Sequence, residues 1–337
     1  MTNKRFLTLY PNCSLGGMTT VYRNRALAQP NDQFEFVFNN DFSGSGSYDL
    51  PNADIRIIPS SRTEAYLRYH AGRGKYDEIR ITSMPKLTAI IPDGVKLIYE
   101  FHSSDEQALQ NEISLLNADR VDEFWVPSRF LKEVVDAFLH QKTDKSSIVV
   151  NNLIDETTFK RRSVEMPGAL EPNVTPIVWI GRFDKGKNPL DLLRALSLIS
   201  DNYHAFVVVS LESDPARLAG FLSEAAQYGV GSQVTIMQNL SPSEVSDLYN
   251  FIAAKGGALC STSLGESFGY AIAEAHACGL RSIAYNVGAL PEHKEVGANI
   301  TLVDVGDIHQ LAAELETIGS TAKQAREDEY RKRHSPT

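Results

Sequence analysis

Cysteine is scarce in this 337-residue chain: Cys13, Cys260 and Cys278 stand far apart, with no CxxC pair and no Cys/His metal-site spacing. That leaves neither a zinc site nor a disulfide framework, and predicts three small buried apolar side chains in a reducing compartment. No stretch approaches the roughly 18 uninterrupted apolar residues of a membrane span, and the opening MTNKRFLTLYPN lacks the apolar core of a signal peptide. A cytoplasmic protein, touching a membrane at most from its side, is the expectation. Excess positive charge is missing too. The formal net charge is −9, which argues against a nucleic-acid binder, whose footprint would be a basic face. Low-complexity sequence is confined to FSGSGS at 42–47, and no short repeat announces a solenoid.

What is present is enough apolar sequence, 42% of the residues, to fill two ordinary cores. Short β-branched or aromatic runs at 6–10, 34–38, 55–58, 78–82, 96–100, 124–126 and 148–150 alternate with helical patterns at 18–28, 64–70, 106–117 and 128–139. Ser128 stands where an N-cap is needed. Periodicity vanishes in ETTFKRRSVEMPGALEPNVTP and then resumes. Strands at 177–180, 205–209, 233–237, 257–260, 281–285 and 299–303 alternate with helices at 189–199, 215–228, 243–251 and 268–278, followed by two terminal helices. The reading is α/β: a domain at 1–155, a linker at 156–175, a second domain at 176–320, and a terminal helix at 321–337 that can cross back to the first domain. Two doubly wound, Rossmann-like units place functional residues in loops at the carboxyl ends of the strands.

The loop after the first strand of the second domain, WIGRFDKGKNPL, sets Gly181 and Arg182 at the strand tip and Lys187 at the next helix entrance. A guanidinium fork and an ammonium at one tip suit the charge growing on a departing diphosphate. The plainer reading makes Arg182, Lys185 and Lys187 a solvated basic loop. In SLGESFGYAIAEAHACG, Glu266 and Glu274 lie eight positions apart, which on one helix is about 80° around the axis and about 12 Å along it. That distance lets one carboxylate accept hydroxyl bonds from a sugar ring while the other grips a ribose of the same extended ligand. Between them the amides of Ser267, Phe268 and Gly269 form an anion site at the helix start. Taken singly, Glu266 is also a first-turn acid and Glu274 a solvated helix face. In the first half, Gly16 and Gly17 follow the first strand, as an ordinary turn or as a loop that lets backbone approach a ligand. His102 follows the strand KLIYE, either structural or facing a ligand.

Together the segments around Arg182 and Glu266, in this order, resemble retaining glycosyltransferases of family 4, whose fold is GT-B: two Rossmann-like domains facing each other across a cleft. VPSRFLKEVV and SSIVVNNLIDETTFKRR extend the resemblance, with Asn152, Ile154, Asp155 and Phe159 on its hinge pattern. The resemblance implies that Arg182 and Lys187 hold the donor diphosphate, Glu266 lies near the transferred sugar, and Glu274 bonds the ribose. It further implies a glycine-rich loop at Gly16 and Gly17 beside the donor phosphate and the acceptor, and His102 against the sugar. The chain departs from the pattern at VVVSLESDPARL and MQNLSPSE, which border the nucleobase pocket, and at Ala289. Gly288 and Glu292 keep that last loop near the donor.

The reaction implied is transfer of a sugar from a nucleotide diphosphate sugar to a glycan, lipid-linked or small-molecule acceptor, with retention of configuration. No DxD motif stands between the strands, so no metal and no cofactor is expected. Bacterial glycan or glycolipid assembly is the family's usual setting. The rival readings are a GT-B epimerase or phosphorylase, and a non-catalytic nucleotide-sugar binding subunit.

Overall fold

A computed structural model describes residues 3–73, 75–165, 170–171, 173–210 and 215–334, with side chains given up to 321 apart from Pro215. Parts of the expected linker, of the SLESDP loop and of the terminal helix therefore lie outside the described residues or side chains. The chain divides into two compact units: Met1–Asp155 with Glu266–Phe268, and Glu156–Gly265 with Gly269–Thr337.

The first unit runs β1 (Arg5–Ser14), α1 (Gly17–Ala28), β2 (Gln33–Phe42), β3 (Ala53–Ile57), α2 (Ser60–Ala71), β4 (Glu78–Thr82), β5 (Lys96–Glu100), α3 (Glu106–Leu115), β6 (Glu123–Val126), α4 (Arg129–Leu139) and β7 (Ser147–Val149). Its sheet has the order β3-β2-β1-β4-β5-β6-β7, with every pairing parallel. Parallel strands need crossovers, so helices cover both faces and the inner strands are buried on both sides. Leu7, Leu9, Ile79, Ile81, Leu97 and Tyr99 form the middle of this core, all at 0% exposure. Helix α4 shows how such an element is specified. Leu131, Val135 and Leu139 recur every four residues on its buried face, each contributing about 1.5–3 kcal/mol. Ser128 caps it as expected, accepting the Leu131 amide at 3.2 Å, which is worth about 1 kcal/mol.

The second unit runs β8 (Thr175–Ile180), α5 (Leu190–Leu196), β9 (Tyr203–Val209), α6 (Pro215–Gln227), β10 (Val234–Gln238), α7 (Pro242–Ala254), β11 (Ala258–Ser261), α8 (Tyr270–Ala277), β12 (Arg281–Tyr285), α9 (Leu290–Glu295), β13 (Ile300–Val303) and α10 (Ile308–His334). Its parallel sheet has the order β10-β9-β8-β11-β12-β13. Two differences from the sequence reading stand out. The two terminal helices are one, since α10 runs unbroken past Gly319 and Ser320. The chain packs there against Tyr203, whose hydroxyl donates to Glu316 O at 3.4 Å. The helix after β11 begins at Tyr270 rather than 268, with consequences for the site.

Cys13, Cys260 and Cys278 are buried and free. Burial raises all three thiols, Cys13 and Cys260 to about 12, so they behave as small apolar side chains.

Candidate functional site

Strand order in the second sheet reverses between β8 and β11, and at such a switch point doubly wound sheets bind their ligands. The loop leaving β8 holds Gly181, Arg182 and Lys187. A larger residue at 181 would have to displace its neighbours, because a Cβ there would stand 2.9 Å from Trp179 Cη2 and 3.3 Å from Lys187 Cγ. Asp184 shapes the turn. Its Oδ1 accepts the Lys187 amide at 2.8 Å, and its Oδ2 pairs with Arg182 Nε at 3.0 Å. Arg182 is 60% exposed in that pair, so the contact is worth under about 1 kcal/mol and exchanges easily for a more highly charged partner.

The neighbouring loop, leaving β11, is locked to this one by Thr262, which is completely buried. Its hydroxyl accepts from Trp179 Nε1 at 3.0 Å and faces the carbonyls of Asn188 and Lys187 at 2.7 and 3.1 Å. Leu264 N adds a bond to Gly186 O at 2.7 Å. Asn188 takes a positive φ of 46° and donates from Nδ2 to Asp191 Oδ2 at 2.6 Å. Buried Asp191 also accepts from the Tyr285 hydroxyl at 2.7 Å and from Arg194 at 2.6 Å. Thr262, Asn188 and Asp191 thus fix the loop that presents the two cations. Sequence reading passed over all three, because partners such as Trp179 and Tyr285 lie 83 and 94 positions away and nothing local marks them.

Around α8 the helical geometry read from the sequence needs correcting. Gly269 is the N-cap, with φ at +89°, a left-handed conformation that breaks helical continuity. Glu266 therefore stands in the turn before the helix, and its separation from Glu274 is not that of two residues on one helical face. The first-turn amides belong to Gly269, Tyr270 and Ala271, while Ser267 and Phe268 precede them. Gly269 is needed for space as well, since a Cβ would meet Leu290 Cδ2 at 2.5 Å and His293 Nε2 at 3.5 Å. His293 is 8% exposed and borders this helix start. Glu274 lies on α8 near Tyr249 and Cys278, whose pKa values are raised by burial first and then by its charge. After β12, Gly288 turns the chain at φ +54°, and Glu292 lies in the first turn of α9.

In the first unit the strand order reverses at β1 and β4. Gly16 is the N-cap of α1 and Gly17 its first residue, with no side-chain cap. The loop is held from beneath, where Ser14 N donates to Thr19 Oγ1 at 3.3 Å. The Tyr22 hydroxyl ties α1 to β4 through Thr82 Oγ1 at 2.7 Å. Beyond β5, the ring of half-buried His102 is held at Nε2 by Glu100 Oε2 at 3.0 Å. Glu100 is entirely buried, and Arg25 NH1 reaches its two oxygens at 2.7 and 2.8 Å. Burial pulls the Glu100 pKa upward, but Arg25 and then His102 outweigh it and hold the carboxyl far below the usual range. The pair orienting His102 escaped the sequence reading. Its one visible mark is a charge at the end of the apolar run KLIYE.

Residues 168–334 match the family model described as glycosyl transferases group 1. D-inositol 3-phosphate glycosyltransferase from Rhodococcus opacus (strain B4) is 30% identical over 157 residues, 45% of this chain and 34% of that protein. Its counterpart from Mycobacterium ulcerans (strain Agy99) is 27% identical over 174 residues, 50% and 36%. The chain spans about a third of the length of these curated relatives. Among solved structures, Anabaena HepE in complex with UDP-glucose superposes with a TM-score of 0.73 at 16% identity, covering 96% of this chain and 94% of that one. Sucrose-phosphate synthase from Thermosynechococcus elongatus gives 0.70 at 18%, covering 96% and 94%. These likenesses establish the fold as GT-B. Among the described residues, no helix is long and apolar enough to cross a membrane.

Proposed function

We propose that this chain, which belongs to the glycosyl transferases of group 1 and has the GT-B fold, transfers a sugar from a nucleotide diphosphate sugar to an acceptor hydroxyl with retention of configuration. The reading rests above all on the β8 tip, where Arg182 and Lys187 are presented by a loop locked through buried Thr262 at the switch point of the second sheet. Preorganised positive charge stabilises a leaving diphosphate more in the transition state than in the bound donor, which is the requirement for raising turnover. The amides opening α8 add a partial positive charge for the same phosphates. Glu274 holds the ribose, Glu266 lies by the transferred sugar, and Gly288 and Glu292 border the donor. On the first unit, we assign the Gly16–Gly17 turn and His102 to the acceptor.

The bond from the anomeric carbon to the phosphate oxygen breaks as the acceptor oxygen bonds to the same face of that carbon. The acceptor's proton passes to the departing phosphate. Two cations and a helix start meet the charge, so the reaction needs no divalent metal. Relatives solved with UDP and UDP-glucose make a uridine diphosphate sugar the first donor to try, and bacterial glycan or glycolipid assembly in the cytoplasm is the setting.

The test is a thermal-shift screen of UDP, GDP, ADP and dTDP sugars, followed by turnover in chelator with NMR of the anomeric proton. One donor class should raise the melting temperature and yield a product of unchanged configuration. Absence of any nucleotide-sugar binding defeats the reading. A new sugar isomer formed without acceptor would make the chain an epimerase.

A further inference from the structure

At the carboxyl end of β3, the outermost strand of the first sheet, a cavity of about 500 Å³ is lined by Ile57, Ile58, Pro59 and the α2 residues Arg62, Ala65, Tyr66, Tyr69 and His70. Residues 62, 66 and 69 recur at helical spacing, so they share one face of α2, while Thr63, Leu67 and Ala71 turn the other face into the core. Ile57 and Tyr69 remain 43% and 54% exposed, large apolar surface left uncovered at a concave site.

Charge in this region is unevenly engaged. Arg56 and Lys75 are taken by Glu35 at 2.9 and 2.7 Å, Arg68 by Glu64 at 2.9 Å, and Arg73 lies 4.0 Å over the Tyr69 ring. Glu35 also accepts the Tyr66 hydroxyl. No carboxylate among the described residues pairs with Arg62. Burial, followed by the nearby Lys75 charge, lowers the His70 pKa, which leaves the Arg62 guanidinium as the cation of the lining. The pocket opens toward the same carboxyl edge of the sheet as the Gly16–Gly17 turn: Ile57 is in register with Phe38 and Phe38 with Tyr10 on β1, two strands away, and the turn follows six residues after Tyr10.

We propose that this cavity receives the far end of the acceptor, an apolar or aromatic group carrying a phosphate or carboxylate, and so selects which acceptor is used. The inference rests on the transferase reading for its purpose, but the binding itself can be tested without turnover. The probe is 4-nitrophenyl phosphate, titrated into the full chain by calorimetry beside inorganic phosphate and 4-nitrophenyl glucoside, with nucleotide-sugar binding measured in parallel. The aryl phosphate should bind about tenfold more tightly than either control, and Arg62→Ala and Tyr69→Ala should each lose about tenfold, with Arg62→Lys between. Nucleotide-sugar affinity should be the same in all variants. Equal affinity for inorganic phosphate, or an Arg62→Ala variant that binds the aryl phosphate as well as wild type, overturns the proposal. So does binding to vesicles of anionic phospholipid with no response to the soluble probe. Arg62-dependent binding of the probe in a chain that binds no nucleotide sugar would support the cavity and overturn the donor reading.

Discussion

Replacing Glu100 with glutamine isolates what the pair beneath His102 contributes. In the folded chain the Arg25 side chain is 7% exposed and that of Glu100 is 0%, and the contact is 2.7 Å. Neutralising Glu100 removes the carboxylate that meets the buried guanidinium at 2.7 Å, and breaking a buried pair from one side costs about 3–5 kcal/mol. Unfolding in urea should therefore move strongly, followed by the fluorescence of Trp125, whose ring lies 5.5 Å from the Arg25 guanidinium. The double variant Arg25→Met/Glu100→Leu removes both charges at similar volume and should regain most of the loss. It should not regain turnover, because His102 loses the carboxylate that holds its ring.

The acid limb gives a second check. The folded Glu100 carboxyl lies below its unfolded value, so the pair's contribution is complete above the unfolded pKa of about 4.3 and is lost as pH falls toward the folded one. The stability gap between wild type and Glu100→Gln should be level between about pH 7 and 5 and narrow below about pH 4. A shift below about 1 kcal/mol, or a double variant as unstable as the single, would refute the assignment of a coupled buried pair.

Lys187→Ala and Arg182→Ala should each lower turnover by about 10²–10³ through lost transition-state stabilisation, with melting temperature little changed; near wild-type rates would remove them from the chemistry. Thr262→Val leaves Trp179 Nε1–H buried without its acceptor, at a cost of about 1–3 kcal/mol. It should also raise the KM for donor, which an undisturbed loop would not do. Gly269→Ala forces a Cβ into the left-handed region against Leu290, and its melting temperature should fall in line with about 1–3 kcal/mol of strain. An unchanged melting curve would mean the turn relaxes at no cost.

Periodicity and loop chemistry are local properties, and they were legible. Alternating strands and amphipathic helices announced two doubly wound units, Ser128 announced its own helix cap, and the glycine, arginine and lysine after β8 stood out as a cationic strand tip. Which tips become neighbours was not legible, because β8 pairs with β11 across more than seventy intervening residues, and a parallel pairing leaves no mark on either strand alone. The same limit hid Thr262, Asp191 and the Arg25–Glu100 pair, whose partners meet only once the sheets have formed. The start of α8 failed for another reason. A periodic pattern carries on through Ser267 and Phe268, but Gly269 takes a left-handed turn there, with no room for a Cβ beside Leu290, and the helix starts only after it. Short-range preference thus chose the elements and their chemistry, while long-range packing decided which loops share an edge and where α8 begins.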